Sequence, residues 1–391
     1  MTGSLPLAGI VVIALEHSVA GPLCSRILGD LGATVVKVER PGTGDFARHW
    51  DDHVDGESAQ FWWLNRSKRS AVLDLKEPDQ RARLDELLGS ADVFVHNLSP
   101  RAAAGLGLTG ASFDERHPRL VVCQISGYGH EGAFRDRKAY DMLVQGEAGF
   151  MSLTGTPDQP ARVGLSLCDV STGIYAALLV LAALRERDLH GTARHLDVAM
   201  LDVACEFAAP MLLSYLNAGV VYPRLADHHH ALAPYGAFRC GDGTDILIAV
   251  HQDTEWQRLC ATLLGDPALG NDPRFATTLD RVAHREVVAG IVGDALGALD
   301  YAAAVDVLED AGIAHARVNG MAELAAHDVI QRRRITQQVS RDAGRSVSAF
   351  VGIAERLFDP DGDRDSRPPM LDEHAVAPLD TGAARSRTGH G

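Results

Sequence analysis

The first third of the chain alternates short apolar runs with segments of helical spacing. The apolar runs lie at residues 10–15, 34–38, 71–75, 93–95 and 120–125. Between the first two, residues 20–31 place Leu23, Ile27 and Leu31 on one face of a helix, and residues 78–88 have similar spacing. Strands that alternate with helices predict an α/β fold with a parallel, doubly wound sheet. Such a sheet binds ligands at the carboxyl ends of its strands.

The pattern changes after two long helical stretches, predicted at 173–187 and 197–216. A proline- and histidine-containing connector follows, and beyond it we predict a smaller α+β domain with strands at 237–239, 246–249 and 314–318 and helices at 253–263, 281–296 and 301–311. The predicted organisation is a Rossmann-like large domain over 1–220, a linker over 221–235, a small domain over 236–325, a return to the large domain over 326–380, and a disordered tail over 381–391.

Charge and cysteine spacing narrow the class of protein. The 391 residues carry a formal net charge of −15, which argues against nucleic-acid and anionic-membrane partners. None of the six cysteines has CxxC spacing, and the adjacent His228, His229 and His230 point apart, so we predict no metal site. The start of the chain lacks the features of a signal peptide, and no apolar run is long enough for a bilayer, so a cytoplasmic location is expected.

The first β-α-β unit suggests a nicotinamide dehydrogenase, with Glu39 at the end of the second strand on a ribose hydroxyl. The turn over residues 16–22, however, lacks the GxGxxG glycines, and Pro22 begins the helix instead. A pyrophosphate therefore has no close approach to that helix, and the dinucleotide interpretation is rejected.

Asp169 precedes a long apolar helix and allows two interpretations. The carboxylate could cap the helix by accepting hydrogen bonds from the N–H groups of its first turn. Alternatively, it could be a nucleophile or base, held where those N–H groups stabilise negative charge. The local sequence favours the cap.

Segments along nearly the whole chain resemble, in the same order, the family III coenzyme A (CoA) transferases, a group that also contains α-methylacyl-CoA racemase. They are AGP at 20–22, LGDLGATVVKVERPGTGD at 28–45, NRSKRS at 65–70, LDLK at 73–76, VHN at 95–97, SGYG at 126–129, Tyr140-Asp141 with Gln145 and Gly149, Asp169 with Gly173, and LDEH at 371–374. The resemblance implies a Rossmann-like large domain with an inserted small domain, in a homodimer of interlocked rings.

The resemblance also implies site residues. Asp169 becomes the catalytic nucleophile, and no permanently bound cofactor is expected because CoA enters as a thioester substrate. The implied substrate- and CoA-binding residues are His17, Ala20, Arg40, Leu73, Lys76, Asn97, Leu98, Arg101, Lys138 and Tyr140. Arg101 is included because the family's phosphate-binding arginine falls on Gly105 here.

The reaction implied by the family moves CoA from an acyl-CoA to a carboxylic acid through an aspartyl anhydride and an aspartyl–CoA thioester. Two alternatives stay open. A racemase would need a histidine base, but this chain has Ala139-Tyr140-Asp141 where racemases carry Gly-His-Asp, and tyrosine is a poor base at neutral pH. A non-catalytic acyl-CoA-binding protein would have no use for Asp169.

The substrate class is predicted from three segments. Residues 163–169, the helix at Met200-Leu201 and residues 233–238 resemble members that use succinyl-CoA with C4–C5 dicarboxylates such as mesaconate, itaconate or citramalate. The glycine-rich loop of formyl-CoA transferases is absent, which disfavours a strict oxalate or formate enzyme. His17, Arg48 and His49 are candidates to hold a distal carboxylate.

Overall fold

A computed structural model describes residues 5–114, 116–340, 345–359 and 367–374. The strands are β1 Val11–Leu15, β2 Thr34–Glu39, β3 Arg69–Val72, β4 Val93–His96, β5 Val121–Ser126, β6 His195–Ala199, β7 Tyr235–Arg239, β8 Asp245–Ala249, β9 Ala314–Arg317, β10 Thr336–Ser340 and β11 Ser346–Phe350. The predicted tail over 381–391 lies outside the described residues.

Helices connect most of the strands. They are α1 Ala20–Asp30, α2 Ala59–Asn65, α3 Pro78–Ser90, α4 Pro100–Gly105, α5 Gly110–Phe113, α6 Asp141–Glu147, α7 Phe150–Leu153, α8 Leu167–His190, α9 Met200–Ala218, α10 Asp253–Thr262, α11 Thr278–Ala283, α12 Arg285–Gly297, α13 Tyr301–Asp310, α14 Met321–Ala326, α15 Asp328–Arg332 and α16 Ile353–Phe358. Two 3₁₀ turns lie at Phe46–His49 and Leu269–Asn271.

Contacts between residues divide the chain into two compact units. The first unit contains Met1–Ala148, Gly164–Ala209 and Asp328–Gly391, and the second contains Gly149–Val163 and Pro210–His327. The domain limits predicted from the sequence, with a large domain over 1–220 and a small domain over 236–325, stay predictions.

The first unit is built on a six-stranded sheet in the order β3-β2-β1-β4-β5-β6, with every neighbouring pair parallel. Side chains alternate between its faces. In β1, Val12 and Ala14 join a core that also contains residues of α1 and α8, whereas Val11 and Ile13 join a second core with residues of α3. Helices therefore cover both faces, and the predicted doubly wound parallel sheet is confirmed.

The second unit contains an antiparallel sheet in the order β7-β8-β9, and its core includes the fully buried Trp256, Val292 and Leu308 from α10, α12 and α13. This is the α+β arrangement that the sequence predicts. The helix predicted over 281–296 is two helices, α11 and α12, which meet at His284.

The predicted helix over 197–216 is wrong at its start. Residues His195–Ala199 form β6, which pairs only with β5 among the described strands, and α9 begins at Met200. The first two residues of β6 are only partly buried and Asp197 is exposed, so this part of the strand needs no apolar run. Its polar sequence, HLDVA, therefore resembles the beginning of a helix.

By length and composition, α8 could cross a bilayer, contrary to the expectation that no apolar segment is long enough. Half of its most apolar 18-residue window is nevertheless buried within the fold, as in a core helix. The α12–α13 pair passes the same test only as one span bent by 119°.

Candidate active site

An open cleft with a volume of about 470 Å³ lies at the carboxyl ends of β1, β2, β3 and β4. It spans the point between β1 and β4 where the strand order reverses, which is where doubly wound sheets bind their ligands. Five of the predicted binding residues line it: His17, Arg40, Leu73, Lys76 and Leu98. The parallel strands bring these residues together because each residue lies within four positions of the carboxyl end of its strand.

His17 is held at the cleft by its backbone. Its N–H donates to Asn97 Oδ1 at 3.0 Å, and its carbonyl accepts from Asn97 Nδ2 at 2.7 Å. The next residue, Ser18, has a φ of 69° and donates its N–H to Asp45. Asn97 is therefore a clamp on the His17 turn. Burial lowers the pKa of His17, so its ring is uncharged near neutral pH.

A fully buried set of charged residues supports this turn from below. Lys37 Nζ lies 3.0 Å from Asp45 Oδ2 and donates to the Glu16 carbonyl, while Lys68 Nζ lies 2.8 Å from Glu16 Oε1. Burial alone would lower the pKa of Lys37, but Asp45 and Glu16 outweigh it and raise that pKa. Burial lowers the pKa of Lys68 to about 8. Two cations and two carboxylates thus fix the start of α1.

The two arginines that follow β2 have different partners. Arg40 is exposed and donates through Nε to the Gly44 carbonyl, which leaves the far end of its guanidinium group at the cleft. Arg48 is engaged instead in a two-point ion pair with Glu39, at 2.9 and 2.7 Å, and donates to Pro369. His49 is exposed with its ring against the Thr43 carbonyl. Arg48 therefore does not provide the unpaired cation proposed for a distal carboxylate.

Asp169 lies in the first turn of α8 and is partly buried. Ser166, at the N-cap position, makes no side-chain capping bond. The acceptors of the first N–H groups are Leu165 O for Leu167, Asp141 Oδ1 for Cys168 at 2.7 Å and for Asp169 at 3.1 Å, and Ser166 O for Val170 at 2.9 Å. The first turn of α8 is therefore capped by Asp141, a residue of α6.

This arrangement overturns one expectation from the sequence. The N–H groups of α8 were expected to stabilise an ionised Asp169, but Asp141 accepts two of them. Burial, followed by the charge of Asp141, raises the pKa of Asp169 from 3.8 to about 7. Asp141 is itself buried, and its second oxygen accepts from Gln145 Nε2 at 2.6 Å.

Helix α1 links Asp169 to the cleft. It begins just after the His17 turn, and its first residue, Ala20, contacts α8 at Gly173, one turn beyond Asp169. A side-chain carbon at position 173 would lie 2.8 Å from the Ala20 carbonyl oxygen. Only glycine permits the two helices to approach this closely. Ala20 is buried and its backbone carbonyl makes this contact, and its predicted role in substrate binding stays a prediction.

The other predicted site residues do not line the cleft. Arg101 is exposed on α4, where its N–H donates to Asp136. Lys138 and Tyr140 are exposed just before α6, and Tyr140 directly precedes Asp141. Tyr140 and Lys138 are thus close in sequence to the group that caps the nucleophile's helix, whereas Arg101 has no described contact with the cleft.

Sequence reasoning missed two groups of residues. The first is Asp141 with Gln145, which appeared only as matching positions in the resemblance. The second is the buried set under the His17 turn. Lys37 carried a usable signal, because a single lysine inside an otherwise apolar strand needs a buried carboxylate partner. Among the described residues, no group of three or more His, Cys, Asp or Glu could hold a metal ion.

Comparison with known proteins defines the class. Residues 7–375 match the family described as CoA-transferase family III. This chain therefore belongs to CoA-transferase family III, and it is an enzyme of the CoA-transferase type.

Two named relatives and one solved structure are similar to this chain over most of its length. The chain is 35% identical over 350 residues to the succinate–glutarate CoA-transferase of Agrobacterium fabrum, covering 88% of this chain and 87% of that protein. It is 34% identical over 322 residues to the acetyl-CoA:oxalate CoA-transferase of Acetobacter aceti, covering 82% of each. The crystal structure of Rv3272 from M. tuberculosis matches with a TM-score of 0.83 at 29% identity, covering 95% of this chain and 98% of that one.

Proposed function

We propose that this enzyme moves CoA from a dicarboxylyl-CoA, with succinyl-CoA as the expected donor, to a C4–C5 dicarboxylic acid. The observation that carries the proposal is the cleft at the sheet's carboxyl edge, joined through α1 to Asp169. The similarity to a succinate–glutarate transferase supports a dicarboxylate acceptor, and glutarate therefore joins mesaconate, itaconate and citramalate as a candidate.

The cleft has the chemistry that CoA requires. CoA combines anionic phosphates with an apolar pantetheine arm. Arg40 and Lys76 offer exposed cations on one part of the lining, and Leu73 and Leu98 offer apolar surface. His17, which is uncharged and held by Asn97, provides a hydrogen-bonding group for the thioester or for the acceptor acid. CoA is a substrate in this proposal, and the chain's own residues supply the catalytic groups.

Asp169 is the proposed nucleophile. Its carboxylate oxygen attacks the thioester carbonyl, the C–S bond breaks, and CoA leaves as a thiolate, which yields a mixed anhydride. The thiolate then attacks the aspartyl carbonyl, releases the donor acid and forms an aspartyl–CoA thioester. An incoming carboxylate reverses the two steps and leaves with CoA, so no net proton or electron is consumed.

The ionisation of Asp169 sets a pH dependence. Only the carboxylate form attacks, and the pKa of Asp169 lies at about 7. The rate of acylation should therefore rise with pH through neutrality and level off about one unit above that pKa. A rate that is constant between pH 5.5 and 8 would contradict this assignment.

We further propose that two copies of the chain form a homodimer. Apolar side chains on α6 and α8 are about half exposed, namely Met142, Leu143, Ile174 and Leu178. An exposed apolar surface of this kind is typical of an interface, and a second copy would cover it. Light scattering after size-exclusion chromatography should give twice the 41.8 kDa chain mass. A cytoplasmic location is proposed as well, consistent with six free cysteines.

The first experiment mixes the enzyme with succinyl-CoA and a pool of glutarate, mesaconate, itaconate, citramalate and oxalate, and identifies the CoA esters by mass spectrometry. A new CoA ester of glutarate, mesaconate, itaconate or citramalate that disappears with Asp169→Ala would support the proposal. Asp79→Ala is the matched control, because Asp79 is an exposed acid in the first turn of α3 and should leave the yield unchanged.

Other outcomes would contradict the proposal. An oxalyl-CoA product alone would reject the C4–C5 acceptor class proposed here, because oxalate is a C2 dicarboxylate. No ester from any acid would reject succinyl-CoA as donor. Incorporation of solvent deuterium at Cα of a 2-methylacyl-CoA, without transfer, would favour the racemase.

A further inference from the structure

The cap on α8 places two carboxyl groups at one helix end. A helix N-terminus stabilises a negative charge through its unbonded N–H groups. Asp141 accepts the N–H groups of both Cys168 and Asp169, so its carboxylate receives this stabilisation instead of the Asp169 carboxylate. This cap from another helix satisfies the N–H groups of α8, but it also brings a second negative charge next to the nucleophile.

We propose that Asp141 is a positioning residue that fixes Asp169 at the end of α8 and, by its negative charge, favours the acylated forms of Asp169 over the ionised carboxylate. This inference rests on the proposed function, because it requires Asp169 to form covalent intermediates.

The orientation of Asp141 is fixed from two sides. Its Oδ1 accepts the two N–H groups of α8, and its Oδ2 accepts Gln145 Nε2. Gln145 is fully buried and also donates to the Leu165 carbonyl, in the segment that leads into α8. Three N–H donors therefore converge on the two oxygens of one carboxyl group. The charge of Asp141 is therefore held in place relative to Asp169.

Acylation removes the conflict between the two groups. The ionised Asp169 is partly buried and lies next to Asp141, whereas the anhydride and the aspartyl–CoA thioester carry no charge on that side chain. Repulsion from Asp141 raises the free energy of the carboxylate and leaves the neutral intermediates nearly unaffected. The equilibrium between free enzyme and covalent enzyme consequently moves toward the covalent forms.

The other groups around Asp169 do not offset this charge. Cys168, the preceding residue, is a neutral thiol whose pKa is raised to about 12 by burial and by the two aspartates. Helix α1 presents the uncharged Ala20 and Leu23 where it contacts α8 at Gly173. Asp141 is thus the charged group, among the described residues, that acts on Asp169.

The test compares Asp141→Asn with the wild type. Asparagine keeps an oxygen that can accept the N–H groups of α8 and removes the charge. The acidic limb of the acylation rate with succinyl-CoA should move to lower pH. The ratio of aspartyl–CoA to free enzyme, measured by intact-protein mass spectrometry at fixed succinyl-CoA and succinate and at a pH above the limb, should fall about tenfold for each unit that the limb moves. Asp141→Ser, which is also uncharged, gives a second measurement if the asparagine variant does not fold.

A matched control and two contrary outcomes complete the test. Asp300 caps α13 by accepting the N–H of Ala303. Asparagine caps a helix about as well as aspartate, so Asp300→Asn should leave thermal stability nearly unchanged and should not move the pH limb. A slower Asp141→Asn enzyme with an unchanged limb and unchanged adduct fraction would mean that Asp141 has only a structural role. If the wild type forms neither an adduct nor a product, the proposed function fails and this inference fails with it.

Discussion

Replacing Gly173 by alanine tests the contact that joins the nucleophile's helix to the cleft. A Cβ atom at this position would lie 2.8 Å from the Ala20 carbonyl oxygen, 2.8 Å from Leu23 Cβ and 3.1 Å from Leu23 Cγ. Optimal separations between carbon atoms are about 3.5–4.0 Å. The new methyl group therefore requires α8 to move away from α1 by roughly 1 Å at this level.

Two opposing free energies decide the stability of Gly173→Ala. Alanine is favoured over glycine inside a helix by about 1 kcal/mol. Overpacking a close contact costs about 1–3 kcal/mol. The expected result is a net destabilisation of about 0–2 kcal/mol, which leaves the enzyme folded. The effect on activity should be larger than the effect on stability, because a displacement of about 1 Å between reacting groups can lower the rate about 100-fold.

The assay pairs denaturant unfolding with measurement of kcat/KM for transfer from succinyl-CoA. Gly290→Ala is the control, because Gly290 lies inside α12 with open space around it and should give the stabilisation of about 1 kcal/mol that helix propensity predicts. If Gly173→Ala is stabilised as much as the control and keeps wild-type activity, the close approach of α1 and α8 does not position Asp169.

Two further substitutions test the support of the cleft. Lys68→Met removes the ammonium group that lies 2.8 Å from Glu16, and the nearest remaining cation is Lys37, at 3.7 Å from that buried carboxylate. The free energy of unfolding, measured by chemical denaturation, should drop by about 3–5 kcal/mol. A loss below about 1 kcal/mol would contradict the ion pairing. His96 is fully buried, and burial lowers its pKa from 6.5 to about 3. The unfolded chain therefore binds a proton that the folded chain does not bind. The free energy of unfolding should fall as the pH drops below 6.5, by about 2 kcal/mol at pH 5. His96→Leu should lose that much less stability than the wild type between pH 7 and pH 5, and equal losses would show that His96 does not titrate in this way.

Much of the fold could be predicted because its signals are local. Strands β1, β2, β4 and β5 are buried on both faces, so hydrophobic residues dominate each of them, although β2 also contains Lys37 and β5 contains Gln124. Strand β6 lacks that signal because its first three residues are not buried. The strand predicted over 71–75 overlaps β3 only at residues 71 and 72. Leu73 and Leu75 lie beyond the end of β3 and line the cleft.

The candidate site shows the same division. His17, Arg40, Leu73, Lys76 and Leu98 were predicted individually from the resemblance, and parallel strand order alone is enough to bring them to one edge of the sheet. The ion pair between Arg48 and Glu39 had no comparable signal. Both residues are charged and could be exposed, and only the path of the loop between them makes them partners.

The sequence by itself determined the alternation of strands and helices, the family and the position of Asp169. These depend on residue types and spacing, which the chain carries locally. Only the tertiary structure decided the electrostatic state of Asp169. Its capping partner, Asp141, lies 28 residues away on another helix, and the hydrogen bond from Asp169 to Asp141 exists only after α6 packs beside α8. Burial and the proximity of a second charge arise from that packing, so no local pattern could reveal that this carboxyl group titrates near neutral pH.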